Sequence, residues 1–244
     1  MKILSYPFSA LFYLIFGLTL VVFHGIQWVS FNLFGYQAHK KSVDYLNWML
    51  LRCLNILGTT FHIKNFADLP ANVPVLIISN HQSQWDIPPI IWYLRQYHPK
   101  FISKAELGKG IPSISYNLRH GGSILIDRKD PRQAVSEMIK FSKYLEEHKR
   151  AGVIFPEGTR SKTGKPKEFR RTGLQTLLKK MPSAYVIPVT INNSWKLQKG
   201  GMFPVPLGVK FKMEIHPALK VSDFEVDPLI DLIESTITSK VEVR

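Results

Sequence analysis

One cysteine, Cys53, occurs in 244 residues. That excludes an intrachain disulfide framework and a cysteine-based zinc site, and it suits a reducing compartment. Cys53 sits in an apolar segment and reads as a small buried hydrophobe. Acids are scarce: 18 Asp and Glu stand against 32 Lys and Arg, a formal net charge of +14. So basic a chain calls for an anionic partner, whether nucleic acid, a phosphorylated metabolite or anionic lipid. There is no internal repeat and no low-complexity tract. Gly164-Lys165 lacks the rest of a P-loop, and no nucleophile-elbow pattern surrounds Ser83. His24, His39, His98, His120, His148 and His216 show no metal-ligand spacing. Asn192-Asn193-Ser194 matches a glycosylation sequon, without other reason to expect secretion.

Charge of either sign is missing between Lys2 and Lys40. The apolar core of this stretch runs from Phe8 to Phe23 and continues more weakly to Phe34. A membrane span needs roughly 20 predominantly apolar residues. His24, Gln27 and Asn32 interrupt the second half, and Gly17 and Gly25 loosen it. The single Lys before it and the lack of a small-residue cleavage site argue against a signal peptide. The next piece, Val43 to Leu57, mixes Asp44, Asn47, Arg52 and Asn55 with Leu46, Leu50, Leu51 and Leu54. That suits an amphipathic helix at an interface. Trp28, Phe31, Phe34 and Trp48 fit the headgroup zone, and Lys40 and Lys41 favour anionic lipid. Residues 1–60 therefore read as a membrane-embedding helical pair. Whether the first helix spans the bilayer or only dips into it stays open.

After residue 60 the pattern changes to alternating strands and helices. Strands are expected at 60–64, 73–79, 100–103, 123–126, 152–155, 185–191 and 209–215. Helices are expected at 88–96, 131–148, 172–180 and 228–241, with a short one after Pro112. Val135, Met138, Ile139, Ser142 and Leu145 mark one face of the 131–148 helix. Pro188 interrupts its strand, which is therefore expected to be bulged or at an edge. Such strand–helix alternation predicts an α/β fold: a largely parallel sheet flanked by helices, over residues 61–244, preceded by the helical pair.

In such sheets the site tends to form just past strand ends. Three polar clusters lie there: His81 to Asp86, Asp127-Arg128 and Glu157 to Arg160. In a continuous helix, five residues turn about 500°, so His81 and Asp86 would diverge by roughly 140°. They meet only if the backbone bends between them, and Pro88-Pro89 suit the first turn of a helix that follows. Asp86 would then hold the His81 ring while His81 takes a substrate proton. An isolated His–Asp pair is more often an ordinary polar turn. Arg128, Arg160 and Lys104 are cations near strand ends, and Arg donates two hydrogen bonds to a phosphate from its planar fork. Each could equally be a surface ion pair. Gly158 lets backbone approach a ligand, and Thr159 adds an N–H and a hydroxyl. Glu157 reads as orienting an Arg or binding a hydroxyl. Eight Lys or Arg and one acid fill Arg160 to Lys180. That run reads as a solvated face or as a lipid-headgroup surface.

Asn80-His81 with Asp86 resembles the His-x4-Asp motif of the glycerolipid acyltransferases. Gly122-Ser123-Ile124-Leu125-Ile126-Asp127-Arg128 looks like that family's second motif and Phe155-Pro156-Glu157-Gly158-Thr159-Arg160-Ser161 like its third. Ile187-Pro188-Val189 looks like its fourth. The four stand in order across residues 80–189, with Leu125 where Phe is usual and Ile187 where Val is usual. Within the family the chain is most similar to the bacterial 1-acyl-sn-glycerol-3-phosphate acyltransferases. The resemblance implies transfer of an acyl group from acyl-CoA or acyl carrier protein to lysophosphatidic acid. It makes His81 the general base, oriented by Asp86. Arg128 and Arg160, helped by Lys104, would hold the acceptor phosphate, and Glu157, Gly158 and Thr159 would shape the acceptor site. No metal or other cofactor and no nucleic acid is expected. The expected place is the cytoplasmic face of a bacterial inner membrane, on an anionic surface. Two alternatives stand beside this: the same chemistry on glycerol-3-phosphate or another lysophospholipid, and a non-catalytic basic membrane-surface protein.

Overall fold

The computed structural model describes residues 2–127 and 129–243. It opens with a long helix, α1 (Lys2–Ile56), broken only at Gly35. There φ is 75° and ψ is −168°, a conformation almost reserved for glycine. The chain reverses at this point. Leu20 packs with Leu46 and Leu50, and the Thr19 hydroxyl lies 3.8 Å from Cys53 Sγ. Residues 2–34 and 36–56 thus form two antiparallel arms.

The strands are β1 (Thr60–Asn65), β2 (Val75–Ser79), β3 (Lys100–Lys104), β4 (Ile124–Ile126), β5 (Ala151–Ile154), β6 (Tyr185–Asn192), β7 (Lys210–Ile215) and β8 (Leu219–Lys220). They form one sheet in the order β1-β7-β6-β2-β5-β3-β4, with β8 beside the first half of β6. Only the β6–β7 and β6–β8 pairings are antiparallel, so the sheet is largely parallel as expected. The other helices are α2 (Ile87–Tyr93), α3 (Ile114–His120), α4 (Pro131–His148), α5 (Arg171–Lys180) and α6 (Val226–Thr238).

Alternate residues of β2 feed two cores. Leu76 and Ile78 pack with Phe141 and Leu145 of α4, Leu174 and Leu177 of α5, and Ile230 and Ile233 of α6. Val75 and Ile77 pack on the opposite face with Ile90 and Ile91 of α2 and Val43 of α1. This two-sided burial explains why β2 reads as an unbroken apolar run.

Two expectations need correction. The strand holding Pro188 is central rather than at an edge, lying between β2 and β7. Backbone groups alternate in direction along a strand. Tyr185 and Ile191 donate towards β2, so position 188 faces the other way. There β8 pairs residues 185 and 186, and β7 pairs 189 to 192. Pro188 falls in the seam between them, where no ladder donor is needed, and its carbonyl accepts the His216 amide at 2.9 Å. The expected 88–96 helix ends instead at Tyr93. A 3-10 turn, Arg95–Tyr97, and a left-handed His98 follow.

The first arm lies along the α/β part for most of its length. Phe12 and Phe16 both meet the Trp85 ring edge-on at 5.5 Å. The Val205 amide donates to Ser9 Oγ at 2.8 Å, and the Ser113 hydroxyl donates to the Leu20 carbonyl at 2.6 Å. Asn32 donates to the Tyr116 hydroxyl at 3.1 Å. From Ser9 to Asn32 a helix extends about 35 Å. The opposite face of this arm is bare: Leu14, Leu18, Val21 and Leu33 are each at least 60% exposed. On the second arm Tyr45, Trp48 and Met49 are exposed beside Lys41 and Arg52.

Candidate active site

β2 delivers Asn80 and His81 to the carboxyl edge of the sheet. Asn80 clamps this end to β6: its amide donates to the Ile191 carbonyl at 2.8 Å and accepts the Ile191 N–H at 2.7 Å. The chain then bends through a 3-10 turn, Gln84–Asp86, before α2 begins. Ser83 caps the turn, its hydroxyl accepting the Trp85 N–H at 3.1 Å. The paired prolines occupy the first turn of α2 and are buried.

This bend brings the pair together. His81 Nδ1 lies 2.8 Å from Asp86 Oδ2. The same oxygen accepts the Gln82 N–H at 2.8 Å and the Ser83 N–H at 3.0 Å. The Ser194 hydroxyl donates to the other oxygen, Oδ1. Asp86 is fully buried, whereas the His81 side chain keeps 15% exposure. The His81 ring stacks on Phe155 at 4.1 Å, 17° from parallel. A carboxylate at Nδ1 makes that nitrogen the donor, which leaves Nε2 as the basic atom of the ring.

The loop after β5 is bonded to the same histidine from both sides. The His81 N–H donates to Glu157 Oε1 at 3.0 Å, and the His81 carbonyl accepts the Ser161 N–H at 2.7 Å. Glu157 is buried, and burial pushes its carboxyl up to about 7. The His81 and Lys167 amides and the Lys167 charge pull the other way. Glu157 is thus turned inward, where it holds the His81 loop. Gly158 has φ +70°, and the Arg170 side chain lies over it, Nε 3.1 Å from where a Cβ would stand. Thr159 and Arg160 are exposed. Lys167 Nζ donates to the Thr159 hydroxyl at 2.8 Å and to the Arg160 carbonyl at 3.0 Å.

Lys104 ends β3 at the same edge and is exposed. Among the described residues neither Lys104 nor Arg160 has an ion-pair partner, so both charges are available to a ligand. Arg128 lies outside the described residues. The structure therefore joins His81, Asp86 and the 157–161 loop directly, and sets Lys104 two strands away along the edge. Ser194, Lys167, Arg170 and the stacking role of Phe155 add to the sequence reading. Ser194 is 108 residues from Asp86, and no local pattern signals such a bond. Lys167 and Arg170 were visible only as members of a basic run.

The model of the family described as Acyltransferase matches residues 60–192. The chain belongs to the Acyltransferase family. The site loops after β2 and β5 lie within the matched segment, and the turn that carries Ser194 follows immediately after it. The chain is also similar to proteins named 1-acyl-sn-glycerol-3-phosphate acyltransferase. One, from Borreliella burgdorferi, is 28% identical over 206 residues, covering 81% of this chain and 80% of that protein. One from Helicobacter pylori is 39% identical over 125 residues, half of each chain. The chloroplastic LPAT1 of Arabidopsis thaliana is 34% identical over 68% of this chain and 45% of its own length. The crystal structure of the 1-acyl-sn-glycerophosphate (LPA) acyltransferase PlsC from Thermotoga maritima superposes with TM-score 0.81 at 24% identity. That match covers 98% of this chain and 95% of that one, so this acyltransferase shares its whole fold, arms included.

Proposed function

We propose that this chain transfers a fatty acyl group from a thioester, acyl-CoA or acyl carrier protein, to the free hydroxyl of 1-acylglycerol-3-phosphate, giving phosphatidic acid. One observation carries the reading. A mostly buried histidine that keeps one edge open to solvent, its Nδ1 held by a buried Asp86, is bonded on both backbone sides to the loop that presents Arg160. Names of the similar proteins agree with this acceptor.

On this reading His81 Nε2 takes the hydroxyl proton as the acceptor oxygen attacks the thioester carbonyl carbon. A C–O bond forms, and the oxyanion collapses as the C–S bond breaks. The imidazolium returns its proton to the departing thiolate. Asp86 keeps the ring in the working tautomer and stabilises its transient positive charge. Arg160 and Lys104, with Arg128, would hold the acceptor phosphate, while Thr159 and the Gly158 backbone would border it. Glu157 acts through His81 by fixing its backbone.

The acceptor is an amphiphile, and the exposed apolar face of the two arms suits its bilayer. The first arm is bound to polar backbone over about 35 Å of helix. Spanning would drag those groups into hydrocarbon, where each unsatisfied one costs several kcal/mol. The arms are therefore read as lying in one leaflet of a bacterial inner membrane, on its cytoplasmic face. The net charge of +14 suits anionic lipid there.

The test is an assay of purified protein in lipid vesicles with an acceptor panel. Lysophosphatidate should be the preferred acceptor, and His81→Ala should reduce turnover by at least about 10³-fold, with vesicle binding and thermal melting unchanged. Preference for glycerol-3-phosphate would defeat the acceptor assignment, and retained turnover in the variant would defeat the general base.

A further inference from the structure

A second basic site lies on the other side of His81. Arg160 and Lys104 follow β5 and β3, to one side of β2 in the sheet order. To the other side come β6 and then β7. β7 runs antiparallel to β6 and so starts at the same edge. Here an open groove of about 650 Å³ runs between the 3-10 turn Ser194–Gln198 and the start of β7. Lys196, Lys199, Lys210 and Lys212 line it, over Trp195 and Leu207.

Charge at this groove is largely uncompensated. Lys212 is paired with Glu242 at 2.6 Å. Among the described residues, Lys196, Lys199 and Lys210 have no carboxylate partner. The Lys196 and Lys199 ammonium groups stand 5.8 and 5.7 Å from the Trp195 ring centre. Cations spread over a convex face are simply solvated. Three unpaired ones converging on a concave surface of small-molecule size make an anion site. The groove is also tied to the reacting pair. Asn193 lines it and donates to the Lys210 carbonyl at 2.9 Å. The next residue, Ser194, donates to Asp86. β7 lies two strand spacings, about 10 Å, from β2, and Lys210 stands five residues, roughly 17 Å along the strand, beyond the level of Ser79, a gap that an extended pantetheine arm can cross.

We propose that this groove receives the phosphorylated nucleotide end of an acyl-CoA donor, with the pantetheine arm passing Asn193 and Ser194 to bring the thioester to His81. The inference rests on the acyl-transfer reading. Both substrates of that reaction are anions, and His81 lies between two separate basic sites, one for each. The concave shape selects a nucleotide over an acidic carrier protein, whose convex face cannot enter it.

The variant carrying Lys199→Glu and Lys210→Glu changes two exposed side chains that hold no part of the core. Binding of free coenzyme A to the full chain, measured by titration calorimetry, should weaken at least tenfold. KM for palmitoyl-CoA should rise at least tenfold and KM for lysophosphatidate should stay within twofold. With palmitoyl-pantetheine, which lacks the nucleotide, the gap between variant and wild type should close to within twofold. Unchanged coenzyme A binding overturns the proposal. So does a loss confined to acyl carrier protein, to lysophosphatidate or to binding of phosphatidylglycerol vesicles. Lysine-dependent coenzyme A binding without any acyl transfer would leave the groove assigned and defeat the reaction instead.

Discussion

Asp86 has no solvent exposure, and four donors share its two oxygens: His81 Nδ1, the Gln82 and Ser83 amides, and the Ser194 hydroxyl. An amide in its place would set a donor against one of these donors. Asp86→Asn is expected to lower kcat on the order of 10³-fold or more, with KM for the acceptor changed less than threefold. Glu157 predicts a pH effect. An unfolded Glu157 loses its proton near 4.5, whereas the folded one holds it to about 7. Between those values the folded chain binds more protons, so this group's contribution to stability falls as pH rises. Glu157→Gln does not titrate and still accepts the His81 amide. Melting curves should show the variant gaining on wild type between pH 5 and pH 8; a constant difference would contradict the buried, proton-holding carboxyl. The spacing of His81 and Asp86 was legible because the bend between them is local and carries its own Ser cap and Pro pair. The inward turn of Glu157 was not: its neighbours in sequence are cations, but its partner in space is the backbone 76 residues earlier.

At the scale of elements, α4 begins and ends where its sequence does, because the Asp130 side chain accepts the Arg132 and Gln133 N–H groups at its start and the left-handed Lys149 stops the helix after His148. The parallel core was equally legible, since strands buried on both faces read as apolar runs. Pro188 was misleading because proline reports only on a missing donor. Which neighbour would have needed that donor depends on where β8 ends and β7 starts, two pairings made over long range. The helical pair was legible from its two apolar pieces, but the residue at which it reverses, Gly35, was not, being one glycine among several in α1. It now carries a prediction. A Cβ at Gly35 meets nothing within 4 Å, so Gly35→Ala adds only backbone strain, about 1–3 kcal/mol. Thermal unfolding of the solubilised protein should fall by about 2–4 °C per kcal/mol, with kcat retained in what stays folded.

Across the described residues, apolar exposure is concentrated on the two arms of α1. Leu14 and Leu18 are 69% and 60% exposed and one helical turn apart. Placing Asp at both positions leaves the packed face of the arm untouched but sets two charges at the bilayer, each costing about 2.5–3.5 kcal/mol if fully immersed. Vesicle flotation should drop at least tenfold. Turnover of vesicle-embedded acceptor should fall in parallel, while a short-chain, water-soluble acceptor is still consumed. Loss of both activities together would mean that the arm serves the fold alone.

Because the bare arm and the reacting histidine belong to one packed piece, an enzyme that has landed need not leave between turnovers. Acceptor arrives and phosphatidate departs by sideways diffusion in the same leaflet. The concentration that governs its rate is then a surface density. Diluting the acceptor with inert lipid at constant bulk concentration would slow it, whereas adding more vesicles of the same composition would not.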